Sequence, residues 1–235
     1  MINPRWFHSL GFAICLNLGG CALLTKSAPI TPRYFAPRMD EDAKSTGKTS
    51  EAAVGRRLRL GRVSAGPHLR ERMAYRSSQT EVGYHEERRW TERPDSFLQR
   101  SLARSLFEAH GISRAVSGAA PTLDAELVAF EEVLKPKHHV QVQVVFGLDD
   151  TVGGYLQRTI TVERDVEGDD DEPEAVVSAL SNALQAAVSE ISNAVIEKLA
   201  ELPAAQPPTV EPAAPAAETK TTTTLSTTIE SKPKR

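Results

Sequence analysis

The sequence predicts an α+β domain: a mostly antiparallel sheet with two helices packed on one face. A lipoprotein-type signal and a flexible tether precede it, and a disordered tail follows. Three observations carry this. Val140, Val142, Val144, Phe146 and Leu148 recur at every second position, the period of a half-buried strand. Two other stretches place apolar residues three to four apart, the period of a helix facing a core. The stretch from Ala22 to Gly55 and the last 33 residues are rich in Pro, Thr or charge and lack an apolar period.

The first 21 residues predict the compartment. Met1–Arg5 carries the free amine and one arginine, Trp6–Leu18 is mostly apolar, and Leu18-Gly19-Gly20-Cys21 closes the run. This is the pattern of a secretory signal, here residues 1–20. The run is broken by His8, Ser9 and Asn17, and it is shorter than the roughly 20 apolar residues a membrane-spanning helix needs. Leu18-Gly19-Gly20-Cys21 resembles a bacterial lipobox, whose thiol receives a diacylglycerol before cleavage. Cys15, behind Phe12-Ala13-Ile14, lacks the small flanking residues. An ordinary secretory signal with an incidental cysteine is the plainer alternative, but the place of Cys21 at the end of the apolar run argues against it. Each buried CH₂ contributes about 0.8 kcal/mol, so two or three acyl chains would hold the protein to a membrane almost permanently. Ala22, rather than an aspartate, follows the cysteine, which favours the periplasmic face of the outer membrane. Cleavage leaves Cys21 as the single cysteine, so no disulfide is expected and the core must hold the fold. A net charge of −3 gives no bulk attraction for nucleic acid.

Residues 21–55 read as a lipidated tether, with one short strand near 33–36 in Arg33-Tyr34-Phe35. The folded domain is predicted over 56–202. Arg57–Val63 alternates with Leu58 and Leu60 on one face, and Gly61 marks a bulge. Arg72–Arg76 and Val82–Trp90 are further strands. Pro94 opens the first helix, with Leu98, Leu102 and Leu106 as its stripe and Gly111 as its stop. Leu123, Ala125, Leu127 and Ala129 begin a meander that continues through Val140–Leu148 and returns along Leu156–Val162. The acidic loop Glu167–Glu172 leads to Pro173 and the longest helix. Its stripe is Val177, Leu180, Leu184, Val188, Ile191, Val195, Leu199 and Leu202, over a length of about 45 Å. Pro203 stops it, and residues 203–235 read as a disordered Pro/Ala/Thr-rich tail.

The order of elements and several short motifs resemble the ABC-type transport auxiliary lipoproteins, typified by paraquat-inducible protein C. Arg33-Tyr34-Phe35 is similar to that family's early aromatic strand. Leu58-Arg59-Leu60-Gly61, followed by Leu69, Arg72 and Met73, resembles its first core strand and the turn after it. Tyr84-His85-Glu86-Glu87-Arg88-Arg89-Trp90-Thr91-Glu92 resembles the strand end entering the first helix, and Ala179-Leu180-Ser181-Asn182-Ala183-Leu184 its last helix. The departures are Arg88-Arg89 before the tryptophan, Arg93 before Pro94, the acidic loop and the long tail. The resemblance implies a non-enzymatic part of an envelope lipid-transport system, docking an MCE-domain protein that works with an ABC permease and ATPase.

No motif for bond chemistry survives inspection. Thr46-Gly47-Lys48-Thr49 lacks the first glycine of a phosphate-binding loop, which would fall on Asp42, and no apolar strand precedes it. Ser45-Thr46-Gly47-Lys48 matches S-x-x-K in a stretch without a core. The six histidines, His8, His68, His85, His110, His138 and His139, form no metal-ligand spacing and read as solvated turn residues. Asp169–Asp171 lacks the alternating ligands of a calcium loop. No catalytic residue, metal or cofactor is therefore expected. Charge is more informative: Arg56–Arg76 holds seven arginines and one glutamate, whereas Glu163–Glu174 holds eight acids and one arginine. Such polarity suits lipid headgroups or head-to-tail packing in a homo-oligomer, and equally arginine stems covering a sheet edge. Leu69, Arg72, Met73, Tyr75 and Arg76 are the candidate docking surface. A different class of function, a structural envelope lipoprotein binding peptidoglycan through the basic tail end Lys232–Arg235, remains open at this point. A hydrolase has no nameable nucleophile and base.

Overall fold

The structure, a computed structural model, describes residues 30–38, 55–150, 153–167 and 172–202. Its strands are β1 (Arg33–Phe35), β2 (Arg57–Ala65), β3 (Arg72–Arg76), β4 (Val82–Trp90), β5 (Ser113–Arg114), β6 (Thr122–Val133), β7 (His139–Asp149) and β8 (Gly154–Asp165). Helix α1 (Pro94–Ala103) lies between β4 and β5, and helix α2 (Pro173–Glu201) follows β8. The α+β class predicted from the sequence is the one observed. The predicted signal, most of the tether and the predicted tail lie outside the described residues.

All eight strands join one sheet, and β6 is its hub. The apolar alternation of β7 places Val140, Val142, Val144, Phe146 and Leu148 on one face, each at most 1% exposed. Long antiparallel ladders pair β7 with β6 and with β8. On its other edge β6 takes two short strands end to end, both parallel to it. Arg59–Ala65 of β2 pairs with Thr122–Leu127, and Ala74–Arg76 of β3 pairs with Glu131–Val133. β4 then runs antiparallel to β3, and β1 runs parallel to β4. The longest ladders are thus antiparallel, as predicted, with short parallel pairings added on the β2–β3 side.

Two bulges set which side chains face the core. Gly61 falls within the shift between Leu60 and Val63, as its sequence position predicts. A Cβ at Gly61 would overlap Asp124 Oδ1, which accepts the Arg62 N–H at 2.5 Å, and would approach Thr122 Cγ2 to 2.6 Å. The second bulge, between Leu127 and Ala129, reverses the alternation of β6. Leu123, Ala125 and Leu127 face the core before it, and Phe130 and Glu132 face the same way after it.

Both helices cover this face. α1 begins with Pro94 at its first turn and buries Phe97, Leu98 and Leu102. It widens into a π-helical turn over Arg104–Ala109, buries Leu106, and stops before Gly111 at φ 69°. Trp90 packs its ring against Phe97 (centroids 5.9 Å apart) and Phe130 (5.0 Å), joining helix, β4 and β6. α2 runs for 29 residues and buries Val177, Leu180, Leu184, Val188, Ile191, Val195 and Leu199 of the predicted stripe. Its end is held by the residue that precedes β2. Arg56 Nη1 donates to Leu202 O at 2.6 Å and Nη2 to Ala200 O at 3.2 Å, a cation on the carbonyl end of the helix.

Candidate functional site

The predicted lipidation site, Cys21 with Leu18, Gly19 and Gly20, lies outside the described residues. The five residues predicted as a docking surface are described, and they do not form one surface. Leu69 is 2% exposed and Met73 1%, so both belong to the core. The Leu69 N–H donates to Gly66 O, turning the 66–71 connection inward. Met73 and Tyr75 point to the helix side of β3, while Arg72 and Arg76 point to the other side. The arginines around Leu69 and Met73 suggested a docking surface, whereas the strand period and the Gly66–Leu69 turn send the apolar members inside.

Glu131 and Glu132, adjacent on β6, point to opposite faces and are 1% and 2% exposed. A buried carboxylate is costly unless its oxygens are hydrogen-bonded. Glu132 meets this on the helix side. His85 Nε2 contacts Oε2 at 2.7 Å, His138 Nε2 contacts Oε1 at 2.7 Å, and Arg88 Nη1 donates to Oε2 at 3.4 Å. The Tyr75 ring packs on His85 with centroids 4.9 Å apart. Burial pushes the Glu132 carboxyl up, but the two imidazoles and Arg88 more than offset this, and it is held below its ordinary value. His85 and His138 are therefore not the solvated turn residues the sequence suggested. They lie apart in sequence, and only the β4–β3–β6 pairing and the β6–β7 turn bring them to one carboxylate. The contacts are hydrogen bonds, and among the described residues no group of three or more His, Cys, Asp or Glu is arranged to hold a metal ion. On the opposite face Arg76 Nε donates to Glu131 Oε1 at 2.6 Å, and Glu131 Oε2 has no hydrogen-bond partner.

The same outer face of β3 and β4 carries a groove of ≈ 730 Å³ lined by the Gly66–Arg72 connection, Tyr84, Arg89 and Arg93. Arg72 and Arg89 are direct cross-strand partners. Arg70 Nε donates to Pro67 O at 3.1 Å, the Tyr84 hydroxyl donates to His68 O at 3.2 Å, and Arg93 pairs with Asp95 at 3.1 Å. Glu71 is the carboxylate of the lining, and it is exposed. This groove overlaps the predicted surface at Leu69 and Arg72, with Leu69 as its floor. Sequence reasoning missed Arg89 and Arg93, whose nearness depends on how β4 returns along β3.

A family model described as the ABC-type transport auxiliary lipoprotein component matches residues 39–192. The chain belongs to this family, and is thus an auxiliary lipoprotein component of ABC-type transport. A crystal structure of a Xanthomonas campestris protein of the DUF330 family superposes with TM-score 0.54 at 19% identity, covering 61% of this chain and 84% of that one. A second crystal structure, of an uncharacterized protein, superposes with TM-score 0.56 at 15% identity, covering 70% of this chain and 99% of that one. Both share the fold. No curated protein matches the chain. Among the described residues, no helix is long and apolar enough to cross a membrane.

Proposed function

We propose that this protein is a docking component of an MCE/ABC-type phospholipid transport system, held by acyl chains on Cys21 at the periplasmic face of the outer membrane. The family match over residues 39–192 carries this reading. The N-terminal Leu18-Gly19-Gly20-Cys21 supports the anchor, and the residues between Cys21 and β1 separate it from the domain. The domain acts by binding: its sheet and helices form a scaffold, and its partners are an MCE-domain protein with the permease and ATPase of the same system.

Two measurements test this. Intact mass of native protein should give a chain beginning at acylated Cys21, and an unmodified thiol would end the anchoring claim. Crosslinking in intact cells, followed by purification of the full chain, should recover an MCE-domain protein. Recovery of none, together with a normal outer-membrane lipid barrier in a deletion strain, would refute the transport role.

A further inference from the structure

We infer that the arginine groove on the outer face of β3 and β4 is a binding site for a phosphoryl group, and that the group it meets is the headgroup of an anionic phospholipid. The inference rests on the membrane-anchored reading above and adds a ligand and its residues to it.

Four features point to an anion. First, Arg72 and Arg89 are register partners on adjacent antiparallel strands, so their side chains leave the same face side by side. Like charges at such positions repel, and an anion between them turns repulsion into two attractions. Second, Arg89 Nε is buried and has no hydrogen-bond partner. A buried guanidinium nitrogen without an acceptor leaves the Arg89 charge uncompensated by the protein, which favours an anion in the groove that Arg89 lines. Third, Arg70 adds positive charge at the rim against Glu71, the lining's carboxylate, while Arg93 there is already paired with Asp95. Glu131, on the same face of the sheet, is engaged by Arg76. Fourth, Arg72 and Arg89 form no ion pair with any described residue, unlike Arg76, Arg93 and Arg100. Paired guanidinium forks match the oxygens of a phosphodiester.

The neighbouring aromatics favour a lipid headgroup over a free ion. Tyr34 on β1 is the register partner of Arg89 and is 63% exposed, although it lines a separate pocket with Phe35 and α2 and stands outside the groove itself. Tyr84, on the groove wall, is 37% exposed. Exposed tyrosines beside arginines suit the boundary of a bilayer, where an apolar ring and a polar hydroxyl are both accommodated.

The test uses the mature chain, residues 21–235 carrying Cys21→Ser, so that neither signal nor acyl chain contributes, together with phosphatidylcholine vesicles that either contain or lack phosphatidylglycerol. Inorganic phosphate is titrated separately. Sedimentation should show binding only to the phosphatidylglycerol vesicles. Binding should weaken about tenfold or more in Arg72→Gln and in Arg89→Gln, the loss expected for a charge-assisted hydrogen bond. Arg158→Gln, on the exposed β8, should leave it unchanged, and thermal melts should show each variant folded. Phosphate binding that is equally strong and equally sensitive to these variants would keep the site but make the free ion its ligand. Equal binding to both vesicle types, or Arg72→Gln and Arg89→Gln that bind like the parent, would overturn the inference. So would loss of partner crosslinking without loss of vesicle binding, since the groove would then take an acidic protein segment. Intact crosslinking alongside failed vesicle binding would remove the groove's role and leave the docking function standing.

Discussion

Replacing Glu132 by glutamine tests how this sheet holds a buried carboxylate. The glutamine keeps the shape but not the charge, and its NH₂ meets one of the two imidazole nitrogens that lie 2.7 Å from the native oxygens. One histidine must then change tautomer or lose its bond, while the other keeps a neutral bond. Hydrogen bonds to a charged group contribute about 1.5–3 kcal/mol and neutral ones about 0.5–1.5 kcal/mol. Downgrading two of them costs about 2–3 kcal/mol. For a domain of this size each kcal/mol lowers Tm by about 2–4 °C, so a fall of about 4–12 °C is expected near neutral pH. The pH dependence is the sharper part. Because the folded protein holds this carboxyl below its ordinary 4.5, its contribution is fully present above that value and is lost as pH falls through the depressed folded one. Urea unfolding of both proteins at neutral pH and at about pH 3.5 should show a gap that narrows in acid. A gap that stays constant, or widens as pH falls, would refute the charged network as the source of stability.

Two further outcomes follow from packing. Phe130→Ala should cost about 3–5 kcal/mol in urea unfolding, because the ring is 1% exposed against Trp90 and leaves a cavity that β6 cannot close; a loss below about 1 kcal/mol would mean the site collapses. Gly61→Ala should cost about 1–3 kcal/mol by displacing the Asp124 carboxylate from the Arg62 N–H, whereas Gly153→Ala, with nothing within 4 Å, should be nearly neutral in the same assay.

The parts of the fold that the sequence shows are those governed by local period. The β7 alternation, the α2 stripe, Pro94 and Pro173 at helix starts, and Gly61 at a bulge all appear where the pattern places them. The β6 strand was legible only to Ala129, because the bulge there reverses the alternation and two glutamates follow. Glu131 and Glu132 look like surface acids in sequence, and their burial depends on Arg76, His85 and His138 arriving from other strands. The docking surface was half legible for the same reason. Arginine content marked the region, but the register that opposes Arg72 to Arg89, and the turn that buries Leu69, are products of tertiary pairing. The parallel alignment of β2 and β3 along one edge of β6 has no sequence period to announce it.

The hold that Arg56 takes on Leu202 and Ala200 ties the entry to β2 to the end of α2. The start of the domain's first long strand and the end of its last helix share one clasp, so neither can peel away without loosening the other. Two natural weak points become one seam, and a few residues could bridge it covalently.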